Sequence, residues 1–258
     1  MEELTQDQVD HFIHKGFVKI ENAFSTDIAD QCRAILWKAS GCDPNNPESW
    51  KPVIRIGELA EEPFRKAANS TVLQKAFDTL VGHGNWLPRQ TLGSFPIRFP
   101  SKEEPNDTGW HVDASFPGED PNNYFDWRIN INSKGRALLM LFFFSDVTIN
   151  DAPTVIIDHS HFDVARILEP AGENGLSFMK LSERLEILSA HHKSLATGEA
   201  GTVYLCHPFV VHAAQKHNGT SPKFMGQPPL FPRNEFNIHR DEAKLTPVEK
   251  AIVEGLRK

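Results

Sequence analysis

A chain of 258 residues, 40% hydrophobic and 24% charged, has the composition of a folded globular protein, which excludes disorder and fibrous repeats. The net charge of -7 argues against nucleic acid and anionic membrane surfaces, since phosphate contacts need clustered Lys and Arg. The longest apolar stretch, Ala137 to Phe144, falls far short of the roughly 20 residues that cross a bilayer. The N-terminus is acidic and polar, unlike a secretory leader. Cys32, Cys42 and Cys206 are odd in number and lack CxxC spacing, so they build neither a disulfide framework nor a thiolate zinc site. The expectation is a cytoplasmic protein with no membrane or nucleic-acid partner, monomeric or homodimeric, with one domain over residues 1–258.

In chain order, Thr5 caps a run with Val9, Phe12 and Ile13 at helical spacing, and Gly16 stops it. Phe17-Val18-Lys19-Ile20 alternates as a strand. Ser25 or Thr26 then caps a second helix whose apolar face is Ile28, Cys32, Ile35 and Leu36. Residues 41–52 lack periodicity and read as a loop, whereas 63–80 reads as helix. Together these form a flank of about residues 1–85. Between about 86 and 240 the texture changes to short β-rich runs at 91–99, 108–113, 137–147, 154–157 and 201–212, broken by Pro, Gly and Asn. Residues 161–195 interrupt them with helical patterning. In the tail, Thr246, Pro247 and Glu249 predict a capped helix over about 246–258. The expected fold is mainly β, a jelly-roll core with flanking α-helices.

The chemistry is concentrated in Gly109-Trp110-His111-Val112-Asp113. Spacing of two on a strand sends His111 and Asp113 to one face, with Trp110 and Val112 on the other. An imidazole nitrogen and a carboxylate oxygen suit a borderline divalent ion, and a second histidine completes the facial arrangement that leaves open positions at Fe(II). His207, His212 and His217 stand at intervals of five, so they are alternatives and not a cluster. His217 precedes the turn signal Asn218-Gly219 and is expected to be solvated, while His207 precedes Pro208, which disrupts strand pairing. His212 is the preferred third ligand. His11, His14, His83, His191, His192 and His239 read as surface residues, and His159 and His161 as structural residues of a turn, with a supporting role at the site as the alternative.

With these ligands placed, the chain resembles the phytanoyl-CoA dioxygenase family of Fe(II)/2-oxoglutarate oxygenases. The resemblance runs from Leu4 through Phe24, Trp110 to Asp113, Asp151-Ala152-Pro153-Thr154 through His159-Ser160-His161, and His207 to His212-Ala213-Ala214 with Asn218. It implies a double-stranded β-helix, cupin-like, that uses Fe(II), 2-oxoglutarate and O2 to oxidise, most simply hydroxylate, a C–H bond of a small molecule. The family acts on acyl-CoA, amino acids, osmolytes and natural-product scaffolds, so a role in secondary metabolism is among the implications. Asp113 stands where related halogenases have a small residue, which favours oxidation over halogenation.

The resemblance also implies co-substrate contacts. The family places an arginine eleven residues past the distal histidine to pair with the C5 carboxylate of 2-oxoglutarate. Here that position is Lys223, which keeps the charge and loses the bidentate fork. Arg233 is the fallback. Thr154, Arg98 and Trp127, with Arg128, are the further candidates, and Arg98 could equally be an outward-facing strand charge. Phe116, Phe125, Trp127, Phe209 and Phe231 are candidates for an apolar substrate wall. Two other classes compete: a cupin-type isomerase or hydrolase that does not use 2-oxoglutarate, and a non-catalytic ligand-binding jelly roll.

Overall fold

A computed structural model describes residues 3–257; Met1, Glu2 and Lys258, at the ends of the expected flank and tail, lie outside them. The strands are β1 (Phe17–Ile20), β2 (Val53–Ile56), β3 (Phe95–Arg98), β4 (Arg128–Ile129), β5 (Leu138–Phe143), β6 (Thr154–Ile157), β7 (Leu176–Ser177), β8 (Lys193–Ala196), β9 (Val203–Cys206), β10 (His212–Ala213), β11 (Met225–Gly226) and β12 (Pro229–Leu230). The α-helices are α1 (Gln6–Lys15), α2 (Thr26–Ser40), α3 (Glu62–Ala68), α4 (Thr71–Val81), α5 (Ser160–Leu168), α6 (Phe178–Ser182) and α7 (Pro247–Arg257).

Local chemistry explains where the flank helices begin. Thr5 Oγ1 accepts from the Gln8 amide at 3.3 Å and Gln8 Oε1 accepts from the Thr5 amide at 2.9 Å, so a reciprocal box opens α1, and Gly16, with φ 88°, closes it. Ser25 caps α2 in the same manner. The single helix expected over 63–80 is two, because Ser70 turns its hydroxyl to the Leu73 amide and starts α4 afresh. At the other end, Thr246 and Glu249 exchange hydrogen bonds at the start of α7. Near its far end Gly255 lets α7 approach α5, since a Cβ there would lie 2.9 Å from Phe162 Cα.

Two sheets face each other. One runs β1-β9-β5-β11, with β12 also on β5, and an Arg98–Lys223 bridge attaches β3 and β2 beyond β11. The other runs β10-β6-β8, extended by a His111–His212 bridge. β5 is apolar on both faces because both are covered. Leu138, Met140 and Phe142 join the core that includes Phe64 and Phe77 of the helices, while Leu139, Leu141 and Phe143 meet Ile156, Ala196 and Cys206 between the sheets.

This is the expected jelly roll, with three local corrections. The run 108–113 contracts to one bridge at His111, and 201–212 divides into β9 and β10, parted by His207 and Pro208. Residues 193–195, the end of the stretch expected to be helical, belong with Ala196 to the edge strand β8, whose half-exposed side chains carry little strand periodicity. Among the described residues no helix is long and apolar enough to cross a membrane.

Candidate metal centre and its pocket

His111 and His212 face each other across the smaller sheet. Each backbone amide donates to the other's carbonyl at 3.0 Å, which brings their rings to a centroid separation of 4.3 Å. Asp113, two residues on, reaches the same point: its Oδ1 lies 3.7 Å from His111 Nε2 and 3.8 Å from His212 Nε2. One ligand atom from each of the three residues lies within 4.8 Å of the others, so the group can hold a metal ion.

The ring nitrogens are already sorted. His111 Nδ1 donates to the Gly109 carbonyl at 2.8 Å and His212 Nδ1 to the Val210 carbonyl at 3.3 Å, so both Nε2 atoms offer lone pairs to the centre. Burial, reinforced by the neighbouring His111, lowers the His212 pKa to about 4, which keeps it neutral and ready to ligate. Burial alone would raise the pKa of Asp113; Arg136 and then the two histidines outweigh it and hold the carboxyl below its ordinary value. Two imidazoles and one carboxylate form a donor set that fits a divalent first-row ion with positions to spare.

The triad opens into a cavity of about 790 Å³, within the range of small-molecule sites. Along one wall, alternate residues of the chain through β11 and β12, namely Lys223, Met225, Gln227 and Pro229, face inward. Gln227 Nε2 sits 3.2 Å from His212 Nε2 and 3.4 Å from Asp113 Oδ2. Lys223 lies four residues, about 13 Å of strand, from Gln227. It is 1% exposed and donates to the Ala152 carbonyl. Burial, then the charge of Arg98, lowers its pKa to about 7. Arg98 lines the same end, with Nη2 at 2.9 and 2.8 Å from the Asp107 oxygens. Thr154 completes it, its hydroxyl 3.7 Å from Met225 Sδ.

His111, Asp113 and His212, singled out from spacing and context, and Lys223, Arg98 and Thr154, implied by the resemblance, all line this one cavity. Arg98 faces the cavity, which resolves its two readings. Trp127 is a correction: it does not line the cavity, and its indole donates to the Pro121 carbonyl at 2.8 Å while its ring lies beside Tyr124. Arg233 is another, since it is exposed and bonds to the Gly84 carbonyl. Of the five aromatic candidates Phe125 lines the cavity; Phe209 is fully buried in the core and Phe231 lies under Arg89. His217 is buried and not solvated, with Gly219 donating to its Nδ1 at 3.1 Å. His161 is structural, bonded to the Ile13 carbonyl at 2.9 Å.

Sequence reasoning missed Arg136, Gln227, Tyr124 and Phe178, all of which line the cavity. For Gln227 a signal existed, because it shares the alternation of Lys223 and Met225. Arg136 had none.

No protein-family model and no curated protein sequence matches the chain. Solved structures do match. The non-heme alpha-ketoglutarate-dependent carbocyclase SnoK of nogalamycin biosynthesis aligns with a TM-score of 0.60 at 15% identity, over 89% of this chain and 84% of its own. The epimerase SnoN, in complex with Fe3+, alpha-ketoglutarate and nogalamycin RO, aligns with a TM-score of 0.58 at 15% identity, over 88% of this chain and 82% of its own. HygX from Streptomyces hygroscopicus, with nickel and 2-oxoglutarate bound, gives 0.54 at 19% identity, over 88% and 86%. At these identities the likeness shows a shared fold, the jelly roll.

Proposed function

We propose that this chain is a non-haem Fe(II)- and 2-oxoglutarate-dependent oxygenase that hydroxylates a C–H bond of a small molecule. The observation that carries the reading is the convergence of two tautomerically fixed Nε2 atoms and one ionised carboxylate in a cavity whose wall also presents Lys223. His111, Asp113 and His212 would hold the metal. Lys223, supported by Thr154, would pair with the far carboxylate of the co-substrate, and the interval of about 13 Å along the strand suits a five-carbon diacid together with the lysine's reach. When bound, Fe(II) supplies activation of O2 coupled to decarboxylation of 2-oxoglutarate to succinate.

The protein's own share is positioning and exclusion of water. The Gly109 and Val210 carbonyls keep each imidazole in its ligating tautomer. Gln227 touches both His212 and Asp113, and its contact with Asp113 Oδ2 would orient the carboxylate while Oδ1 and His212 Nε2 would serve the metal. Phe178, with its ring 5.8 Å from that of His111, screens one side of the centre. One domain serves the whole chain in this reading: β1 of the flank pairs with β9 of the core, and α7 of the tail lies on α5. SnoN with nogalamycin RO and HygX with hygromycin B are matched structures of this fold that hold natural products, which supports a small-molecule substrate here.

The test is spectroscopic. Adding Fe(II) and then 2-oxoglutarate without oxygen should produce a visible metal-to-ligand charge-transfer band in the wild type and none in Asp113→Ala. Folded, iron-loaded wild type without that band overturns the reading, and calorimetric binding of metal but not of 2-oxoglutarate would instead favour an isomerase or hydrolase on the same barrel.

A further inference from the structure

We propose that Arg136 anchors a carboxylate of the primary substrate, and that this substrate is an acid with a flat apolar body. The inference rests on the reading of Lys223 as the co-substrate end of the pocket.

Strand register places the backbones of the two cations on either side of Gln227, which touches the triad. β5 pairs Phe143 with Met225 and Leu139 with Pro229. Lys223 therefore lies beyond one end of β5 and Arg136, two residues before Leu138, beyond the other. Gln227, in contact with the triad, falls between them. A diacid reaching from the metal to Lys223 leaves the Arg136 side open.

Arg136 is built in but incompletely satisfied. It is 7% exposed, and Nη2 donates to the Ala114 carbonyl at 3.1 Å. Among the described residues its buried Nε and Nη1 have no hydrogen-bond partner, and Nη1 lies 3.5 Å from Asp113 Oδ2, an ion-pair distance. A buried guanidinium with unmade bonds is unfavourable unless a ligand completes it. Asp113 Oδ2 is itself shared, since Gln227 Nε2 lies 3.4 Å from it. The other buried cations of the region are engaged: Lys223 with the Ala152 carbonyl, Arg98 with Asp107, Arg89 with Glu58 and the Thr91 carbonyl.

Charge and shape agree. In a chain of net charge -7 the cavity is lined by Arg55, Arg98, Arg136 and Lys223 against three carboxylates. A divalent metal and a dianionic co-substrate leave that lining with positive charge in excess, and the planar fork of a guanidinium matches a carboxylate. Beside it, the Phe178 ring lies 5.4 Å from Tyr124 and 5.9 Å from Phe125, which are 43% and 59% exposed. An aromatic wall open to solvent at the mouth of a polar centre fits a flat apolar ligand.

The experiment uses the full chain loaded anaerobically with Mn(II), with and without 2-oxoglutarate. 2-Naphthoate, phenylacetate and 4-hydroxybenzoate are each titrated calorimetrically against the corresponding amide. In the wild type at least one acid should bind about tenfold or more tightly than its amide, as a buried charge-assisted pair implies. Arg136→Gln should abolish that preference and leave 2-oxoglutarate affinity within about twofold, whereas Lys223→Met should do the reverse. Arg136→Lys keeps the charge and should keep part of the preference, which controls for misfolding of the glutamine variant. The proposal is overturned if no acid outbinds its amide, or if Arg136→Gln weakens 2-oxoglutarate as much as Lys223→Met does. It is also overturned if Arg136→Gln lowers Mn(II) affinity and leaves the acid preference intact. Wild type that shows the acid preference with Mn(II) alone yet never binds 2-oxoglutarate would refute the oxygenase reading and spare this one.

Discussion

The two ends of the pocket hold buried cations in opposite states. At the Lys223 end each positive group already has a protein acceptor: Lys223 the Ala152 carbonyl, Arg98 the Asp107 carboxylate, which Arg55 shares. At the Arg136 end the guanidinium makes one hydrogen bond and leaves Nε and Nη1 without acceptors among the described residues. The first end is a preorganised seat that a ligand enters by competing with existing bonds. The second is completed only by what binds there. A site with these two ends separates one anion from another by the position of charge, with the metal centre as the divider.

The largest effect should come from removing the divider. Asp113→Ala deletes one of the three residues proposed to hold the metal and the group that faces Arg136. Metal analysis after gel filtration should show Fe(II) retention down by more than about 100-fold in affinity, above the 10- to 100-fold typical of outer-shell changes. Both ends would then lose their difference in ligand preference.

Lys223→Met comes next. It removes a buried charge from the seated end, and 2-oxoglutarate binding should weaken by about 30-fold or more, the equivalent of a truncated buried ion pair. Lys223→Arg should recover much of this, since the guanidinium restores the charge. If the methionine variant binds 2-oxoglutarate as the wild type does, the seated end is not the co-substrate end.

A smaller effect is pH-dependent. Burial, then Arg98, lowers the Lys223 pKa to about 7, while Asp107 and Asp151 oppose the shift. Below pH 7 the lysine is charged before the dianion arrives; above it, binding must take up a proton. Affinity for 2-oxoglutarate should therefore be full below pH 7 and fall up to about tenfold per unit as pH rises. Stability moves the other way. Between pH 7 and the ordinary lysine value the unfolded chain binds a proton that the folded chain does not, so the ligand-free protein should gain stability as pH rises through that window. Calorimetry and thermal unfolding across pH 6–9 should show the opposite trends, and Lys223→Met should flatten both.

What could be read from the chain follows from how local each signal is. His111 and Asp113 were legible because spacing of two fixes a shared face even where the strand contracts to one bridge. His212 stood out from His207 and His217 through the Pro208 and Asn218-Gly219 that follow them, and through resemblance. Lys223 came through resemblance, and its inward direction was confirmed by the alternation with Met225 and Gln227. Arg136 follows Ser133-Lys134-Gly135 and precedes an apolar strand, so it reads as an ordinary polar strand start; only the tertiary approach of Ala114 and Asp113 gives it meaning. His217 was misread because a turn signal says where the backbone bends, not where the ring goes. Trp127 and Arg233 were placed by position along the chain, and the fold turns each of them onto backbone carbonyls elsewhere.

The smallest expected effect probes the aromatic wall on the open side. Phe178 opens α6 in a segment whose helical pattern gave no hint of a pocket, yet its ring lies between His111 and the pair Tyr124 and Phe125. If that wall holds the body of the substrate, Phe178→Ala removes one aromatic partner, worth about 0.5–1.5 kcal/mol beyond area burial. Aromatic acids should then bind roughly three- to tenfold more weakly by calorimetry, with 2-oxoglutarate affinity unchanged. The acid should still outbind its amide, because Arg136 remains. Loss of 2-oxoglutarate binding in this variant would mean that Phe178 acts through the orientation of His111, and the two ends would then be coupled through the metal and not independent.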